Sequence, residues 1–291
     1  MAASRAQKQN AISALFFDLD NTLIPTRKAD TLACMKIAEL LHDEHNISRE
    51  QASLITQNYV KSFRLCPDNL ECDLNTWRCH LWSKSLTEQY NHLTQRVYLK
   101  WLQLRYYYLS IDDNVRKMLI SLRKQYLLGL ITNGPSSAQW EKVERLNLTS
   151  LFDCIIVSGD LPWAKPDQKI FLEACKYLGV EPKRCVMIGD KLETDIQGGI
   201  EAELGLTIWL PLDKNCVVEH ESIQPDFTIS NILELPQILP PAGLKSAAYR
   251  SRAVGNHQLQ NGDKSLNYLQ NRRMLSMPEF EDCNSNSSDG S

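Results

Sequence analysis

Short apolar runs alternate with helix-length amphipathic stretches along most of this 291-residue chain. Each run is only a few residues long and is followed by residues that are typical of turns. A strand that is apolar on both faces must be covered on both faces, so this pattern is typical of a parallel sheet between layers of helices. Six runs fit such strands, at residues 15–17, 127–131, 154–157, 185–188, 207–210 and 227–230.

The stretches between these runs have the periodicity of amphipathic helices, at residues 113–124, 137–146, 168–178 and 194–204. The alternation of strand and helix predicts an α/β fold, a Rossmann-like doubly wound parallel sheet. Ligands of such sheets bind beyond the carboxyl ends of the strands. The polar residues that follow each apolar run are therefore the first candidates for a functional site.

The interval between the first two apolar runs predicts an inserted helical subdomain. It has helical periodicity from about residue 26 to residue 108, with few glycines and many aromatic residues. The aromatic residues fit a small helical core, although some of them could line a substrate entrance. We expect a catalytic core of residues 12–24 and 113–239 with a helical cap of residues 25–112. The composition of residues 240–291 predicts a disordered tail.

Composition and charge restrict the class of partner. The net charge is −3, with 32 basic and 35 acidic residues, which argues against nucleic-acid or membrane-surface binding and leaves a small anionic substrate possible. The polar N-terminus and the lack of a long apolar stretch predict a cytoplasmic protein. The nine cysteines are scattered without zinc-site spacing, and the six histidines form no ligand pattern, so we expect reduced thiols and no zinc.

Four polar clusters follow four of the apolar runs. Carboxylate oxygens suit a hard ion such as Mg²⁺. A hydroxyl with backbone amides suits phosphate oxygens, and an ammonium offsets the charge of both. The clusters are Asp18 with Asp20, Thr132-Asn133-Gly134, Lys165-Pro166, and Gly189-Asp190 followed by Glu193 and Asp195.

Each cluster by itself also fits an ordinary turn, a solvated loop or a helix cap. Their occurrence in order, each at the end of a strand, favours a common site, because parallel strands bring their carboxyl ends to one edge of the sheet. On extended backbone, the Asp18 and Asp20 side chains point the same way, so we expect them to crowd together unless a cation lies between them.

The four clusters resemble the ordered motifs of the haloacid dehalogenase superfamily. The resemblance begins at Phe16-Phe17-Asp18-Leu19-Asp20-Asn21-Thr22 and extends over about residues 12–239. The longer strings at residues 186–199 and 232–236 narrow it to a phosphatase that acts on a phosphorylated sugar.

The resemblance implies a role for each matching residue. Asp18 would be the nucleophile that forms an aspartyl-phosphate, and Asp20 the general acid/base. Mg²⁺ would be held by the Asp18 side chain, the Asp20 backbone carbonyl and Asp190, with support from Asp195. The phosphoryl oxygens would be bound by Thr132, Asn133 and the Leu19 amide, while Lys165 would orient the nucleophile and stabilise charge. The helical insert would close over the substrate.

Two alternatives stay open at this point. The substrate could be another sugar or small-metabolite phosphate, since Pro25, Pro135 and Glu203 depart from the pattern, Glu203 where a glycine is expected. The chain could instead be an interaction protein that recruits a protein partner through its tail, although the intact acidic motifs argue against lost catalysis. A dehalogenase is disfavoured, because Asp20 supplies the acid/base group that ester cleavage needs.

Overall fold

The computed structural model describes residues 11–67, 70–212 and 223–240. Its elements in chain order are β1 (Ala14–Phe17), α1 (Thr26–His45), α2 (Arg49–Phe63), α3 (Leu74–Tyr90), α4 (Thr94–Tyr108), α5 (Asp113–Arg123), β2 (Leu127–Thr132), α6 (Ser136–Arg145), β3 (Cys154–Val157), α7 (Gln168–Leu178), β4 (Cys185–Gly189), a π-helical turn (Leu192–Ile196), α8 (Gln197–Glu201), β5 (Leu206–Trp209), β6 (Phe227–Thr228) and α9 (Leu235–Ile238). Short 3₁₀ turns connect several of them.

The strands form one parallel six-stranded sheet in the order β3-β2-β1-β4-β5-β6. This is the strand order of a Rossmann-like doubly wound sheet, so the predicted fold class is confirmed. β1 lies in the middle, and Phe17 pairs with Leu130 of β2 and Ile188 of β4. The loops that follow β1, β2 and β4 therefore meet at one edge of the sheet.

Successive side chains of β1 point to opposite faces of the sheet, so β1 contributes to two hydrophobic clusters. Leu15 and Phe17 pack in the cluster on one face of the sheet, with residues of α5 and α6. Ala14 and Phe16 pack in the cluster on the other face, with residues of α7. Because successive strand residues point to opposite faces, a strand covered on both sides must be apolar at every position. This explains why residues 14–17 are fully buried.

The predicted strands and helices of the core agree with the structure, and the largest difference lies after β4. The expected helix 194–204 begins instead as the π-helical turn at Leu192 and continues as the short helix α8. This wider turn places Asp195 directly over Gly189. A Cβ atom on Gly189 would lie 2.2 Å from Asp195 Oδ2, so only glycine allows this approach.

The inserted segment contains α1 to α4, which share a separate hydrophobic cluster. At its centre the Tyr59 ring stacks on Trp82 with 3.8 Å between centroids, and Trp101 packs edge-on against Tyr59 at 4.9 Å. The prediction that the aromatic residues form a small helical core is confirmed for these side chains. The limits of the core and cap domains remain predictions, and Asp112 at the predicted limit caps α5 by accepting the Asn114 backbone N–H.

Several expectations fall wholly or partly outside the described ranges. One is the disorder predicted for the tail, because residues after Pro240 are not described. Another is the reduced state predicted for Cys216 and Cys283. Six cysteines in the described ranges are free thiols, namely Cys34, Cys72, Cys79, Cys154, Cys175 and Cys185. Across the same ranges, no helix is both long and apolar enough to cross a bilayer. The cytoplasmic location and any protein partner of the tail remain predictions.

Candidate active site

Lys165 lies at the centre of the site, and its ammonium contacts three oxygens. Its Nζ lies 2.6 Å from Asp18 Oδ1 and 2.7 Å from Asp195 Oδ1. It also donates to the backbone carbonyl of Ile131 at 2.8 Å. Two hydrogen bonds and one ion pair therefore hold this ammonium in place. Burial acts to lower the pKa of Lys165, but the Asp18 and Asp195 carboxylates raise it above its ordinary value.

Three carboxylates gather beside this ammonium. One oxygen from each of Asp18, Asp190 and Asp195 lies within 4.8 Å of the others. Both carboxylate oxygens of Asp190 are buried and have no hydrogen-bond partner among the described residues. Burial and the neighbouring carboxylates raise the pKa of Asp18 to about 7 and that of Asp190 to about 6. One ammonium thus leaves a surplus of buried negative charge.

This surplus is what a divalent cation would neutralise. Buried oxygens without donors are rare, and hard cations such as Mg²⁺ prefer carboxylate oxygens. The residues present therefore fit Mg²⁺, with Asp18 and Asp190 as the side chains that would hold it. Asp195 binds Lys165 through Oδ1 and accepts the Lys191 backbone N–H through Oδ2 at 3.1 Å, which suits the supporting role predicted for it.

The structure gives Asp20 a different environment from Asp18. Lys142 Nζ contacts its two carboxylate oxygens at 2.8 and 2.7 Å. Thr26 Oγ1 donates at 2.5 Å and Gln139 Nε2 at 3.1 Å. Burial acts to raise the pKa of Asp20, but these donors, Lys142 above all, outweigh burial and lower the pKa to about 2.

The Asp18 and Asp20 carboxylates therefore do not crowd together. β1 ends at Phe17, and the Asp20 carboxylate does not belong to the acidic group that contains Asp18. Each of the two carboxylates has its own ammonium instead. A backbone contact from Asp20 to the metal remains a prediction.

Thr132 and Asn133 lie at the end of β2, next to Lys165. The Thr132 hydroxyl is buried and has no hydrogen-bond partner within the described part of the chain, and its binding of a phosphoryl oxygen remains a prediction. Asn133 uses its side chain differently. It donates to the Lys165 carbonyl at 2.8 Å and accepts the Lys165 N–H at 3.0 Å. The Asn133 side chain thus positions Lys165, and phosphate contacts from Asn133 and the Leu19 amide remain predictions.

Sequence reasoning missed the residues that surround Asp20. Gln139 and Lys142 lie three residues apart on α6, and this spacing places them on one face of the helix. The spacing was the available signal, but on a polar helix it is equally typical of a solvated face. Thr26 begins α1 of the insert, so its contact with Asp20 depends on how the insert packs on the core.

Two buried ion pairs lie next to these residues. Arg78 of α3 pairs with Glu141 of α6 at 2.7 Å, which connects the insert to the core. Arg105 of α4 pairs with Asp30 of α1 at 2.7 Å. Both arginines are almost completely buried. Neither was singled out from the sequence.

The nucleophile-like aspartate after the central strand, the buried lysine and the opposing acidic pair define a class of hydrolase. The sequence profile of the haloacid dehalogenase-like hydrolases matches residues 12–203, and the chain belongs to this family. Among individual proteins, it is similar to human N-acylneuraminate-9-phosphatase, with 35% identity over 234 residues, which are 78% of this chain and 94% of the relative. The expected resemblance to a sugar-phosphate phosphatase is confirmed.

Other relatives broaden this comparison. The glyceraldehyde 3-phosphate phosphatase of Pyrococcus furiosus is 30% identical over 238 residues, covering 78% of this chain and 92% of the relative. Among solved structures, a magnesium-bound HAD hydrolase of Bacillus subtilis, YfnB, is 25% identical with a TM-score of 0.54, covering 79% of this chain and 99% of that one. A HAD phosphatase of Thermococcus onnurineus supports the fold, with 24% identity and a TM-score of 0.55 over 79% of this chain and 99% of that one.

Proposed function

We propose that this chain is a Mg²⁺-dependent phosphomonoesterase that works through an aspartyl-phosphate on Asp18, and that its substrate is N-acylneuraminate 9-phosphate. The observation that carries the proposal is the position of Asp18 between the Lys165 ammonium, at 2.6 Å, and the unpartnered oxygens of Asp190. These groups supply a nucleophile, a fixed positive charge and a place for a metal at one strand edge.

The first step transfers the phosphoryl group to Asp18. A carboxylate oxygen of Asp18 forms a bond to phosphorus, the bond from phosphorus to the sugar oxygen breaks, and that oxygen receives a proton from Asp20. Lys165 holds the Asp18 carboxylate in place, and the free Thr132 hydroxyl donates to a phosphoryl oxygen. Bound Mg²⁺ would offset the charge of the phosphoryl group as it is transferred.

The second step returns the enzyme to its starting state. Asp20, now a carboxylate, removes a proton from water, whose oxygen forms a bond to phosphorus as the bond to Asp18 breaks and phosphate leaves. The ionised Asp20 of this structure suits that step. The first step requires a protonated Asp20, so its contacts with Lys142, Gln139 and Thr26 must change when substrate is bound. Because Thr26 belongs to the insert, a movement of the insert would change this contact with the Asp20 carboxylate.

The choice of substrate rests on the similarity to N-acylneuraminate-9-phosphatase over most of both chains. A panel assay tests it. The kcat/KM values for N-acetylneuraminate 9-phosphate, glyceraldehyde 3-phosphate and glucose 6-phosphate are compared in Mg²⁺ and in excess chelator. We expect the first compound to have the highest value and the chelator to abolish turnover of all three. A preference for glyceraldehyde 3-phosphate would contradict the proposed substrate, and full activity in chelator would contradict the proposed metal.

A further inference from the structure

The interface between the inserted helices and α6 contains a group of buried polar side chains that the reaction steps do not use. Arg78 and Arg105 have 1% and 2% of their surface exposed. Each has one carboxylate partner, Glu141 for Arg78 and Asp30 for Arg105. Burial acts to lower the pKa of both guanidinium groups, but these carboxylates raise it above the ordinary value, so both arginines are charged.

Several donors in this group have no acceptor. Nε and Nη1 of Arg78 and Nη1 of Arg105 are buried without a hydrogen-bond partner in the described ranges, as is the hydroxyl group of Tyr59. A buried donor without a partner costs about 1–3 kcal/mol, and more when it is charged. Single exceptions occur in folded proteins, but here several free N–H groups surround two guanidinium groups, and the buried Glu141 Oε2 is one acceptor for all of them. This shortage indicates a need for further acceptor oxygens.

The position of this group relates it to the phosphoryl site. Glu141, which binds Arg78, precedes Lys142 on α6, and Lys142 binds Asp20. Asp30, which binds Arg105, lies one helical turn after Thr26 on α1, and Thr26 also binds Asp20. Both arginines thus lie on inserted helices, and their carboxylate partners neighbour the two residues, Lys142 and Thr26, that bind Asp20, which would protonate the leaving group.

We propose, on the basis of the proposed function, that Arg78 and Arg105 bind a carboxylate of the substrate, so that the enzyme selects phosphorylated sugar acids over neutral sugar phosphates. The planar guanidinium group presents paired donors that match a carboxylate, and the resulting charge-assisted hydrogen bonds are stronger than neutral ones. The phosphate is already accounted for by Asp18, Thr132 and the metal that Asp18 and Asp190 would hold. Because Arg78 is buried, the substrate carboxylate enters when the insert moves away from α6.

Aromatic rings offer the competing explanation of the free donors. The Arg78 guanidinium carbon lies 5.8 Å from the centroid of the Trp101 ring, and that of Arg105 lies 5.1 Å from Phe63. N–H groups directed at ring faces are weakly satisfied. In that case the arginines stabilise the insert and do not distinguish between substrates.

A matched pair of substrates separates the two explanations. The first is N-acetylneuraminate 9-phosphate, and the second is its carboxylate methyl ester, which loses the negative charge of the carboxylate and gains one methyl group. They are assayed with the full-length wild type, with Arg78→Lys, which keeps the charge facing Glu141 but loses the paired donors, and with Arg96→Lys. Arg96 is a suitable control, because it is 60% exposed and pairs with the exposed Glu44.

We expect the wild type to favour the acid over the ester by at least about tenfold in kcat/KM. Arg78→Lys should reduce this ratio to within about threefold of unity, mainly through a higher KM for the acid, and Arg96→Lys should leave it unchanged. Equal losses for acid and ester in Arg78→Lys would overturn the proposal and support the aromatic explanation. A double variant, Arg78→Gln with Glu141→Gln, removes the ion pair as a neutral pair and should give the same loss of selectivity if Arg78→Lys does not fold.

Failure of the carboxylate site and failure of the proposed function give different results in this assay. If the wild type hydrolyses both compounds equally well, the phosphatase activity stands and the carboxylate site is wrong. If it hydrolyses neither, the proposed substrate is wrong. The carboxylate site is then tested with 6-phosphogluconate and glucose 6-phosphate, which also differ in a carboxylate. Selectivity for 6-phosphogluconate that is lost in Arg78→Lys supports the site, and its absence in the wild type overturns the site.

Discussion

Lys142 of α6 contacts both carboxylate oxygens of Asp20, at 2.8 and 2.7 Å. The lysine is buried, and no sequence motif marks it. The contact keeps Asp20 ionised and turned toward α6, while Asp18, two residues earlier, is held by Lys165. Two carboxylates that lie two residues apart therefore have different lysine partners and opposite pKa shifts, raised for Asp18 and lowered for Asp20.

Replacing Lys142 tests whether this lysine stabilises the Asp20 carboxylate, and the measurement is the pH dependence of the free energy of unfolding. In the wild type, the pKa of Asp20 is about 2, below its ordinary value of 3.8, so Asp20 stabilises the fold above pH 3.8 and loses this contribution as the pH falls toward 2. In Lys142→Met, the ammonium no longer offsets the effect of burial, so the pKa of Asp20 rises. The buried charge of Asp20 then destabilises the fold at neutral pH, and protonation of Asp20 removes this destabilisation.

We expect Lys142→Met to lower the free energy of unfolding by about 2 kcal/mol at pH 7, and the difference from wild type to narrow as the pH falls to 4. Urea unfolding in the absence of Mg²⁺ measures it. Lys176→Met is the control, because Lys176 is 79% exposed, and it should have little effect at either pH. A difference that does not change with pH would show that Asp20 is not the group that Lys142 stabilises.

Much of the site was predictable from sequence, because strand ends are marked by local patterns. The apolar runs placed Asp18, Thr132 and Asp190 at the ends of neighbouring parallel strands, and topology alone brings such positions together. Lys142 and Arg78 were not predictable in this way. Each lies on a helix whose polar residues look like a solvated face, and only the packing of the insert and α6 around Asp20 buries them.

The proposed role of Asp18 as nucleophile is tested by Asp18→Asn, which preserves the shape of the side chain and removes its negative charge. We expect kcat to fall about 10³-fold or more, because an amide oxygen does not form the acyl-phosphate. The thermal midpoint should fall little or rise, since Asp18 is one of three crowded carboxylates. Asp43→Asn, on the exposed side of α1, is the control and should retain full activity. Substantial turnover by purified Asp18→Asn would show that another group is the nucleophile.

Mg²⁺ should stabilise the protein more at alkaline than at acidic pH. Without a cation, the pKa of Asp18 is raised to about 7 and that of Asp190 to about 6, so both groups favour the fold while protonated and this stability is lost as the pH rises through 6–7. A bound cation removes that loss and must displace the protons, so its affinity increases with pH.

Thermal unfolding with and without saturating Mg²⁺ measures this linkage. We expect a rise in the midpoint of several degrees at pH 8 and a much smaller rise at pH 5.5. Asp190→Asn should remove most of the rise at pH 8, because it removes a buried carboxylate that has no other partner among the described residues. A rise of equal size at both pH values would indicate that the cation binds elsewhere.

Glu203, which is not part of the candidate active site, allows a test of backbone strain. It follows α8 with a φ of 52°, in the left-handed region where a side chain is disfavoured by about 1 kcal/mol. The glycine that the family pattern predicts at this position would adopt this conformation without strain. The Glu203 side chain contributes little in return, because it is 76% exposed and its only ion pair in the described structure, with Lys183, spans 3.7 Å.

We therefore expect Glu203→Gly to raise the free energy of unfolding by about 0.5–1 kcal/mol and to leave kcat unchanged. The gain is smaller than the full strain, because glycine also makes the unfolded chain more flexible. Glu203→Ala separates backbone from side chain, since it removes the same ion pair but keeps the strained φ, and it should not stabilise the protein. If both variants change stability equally in urea unfolding, the effect arises from the lost carboxylate and the positive φ is not a source of strain.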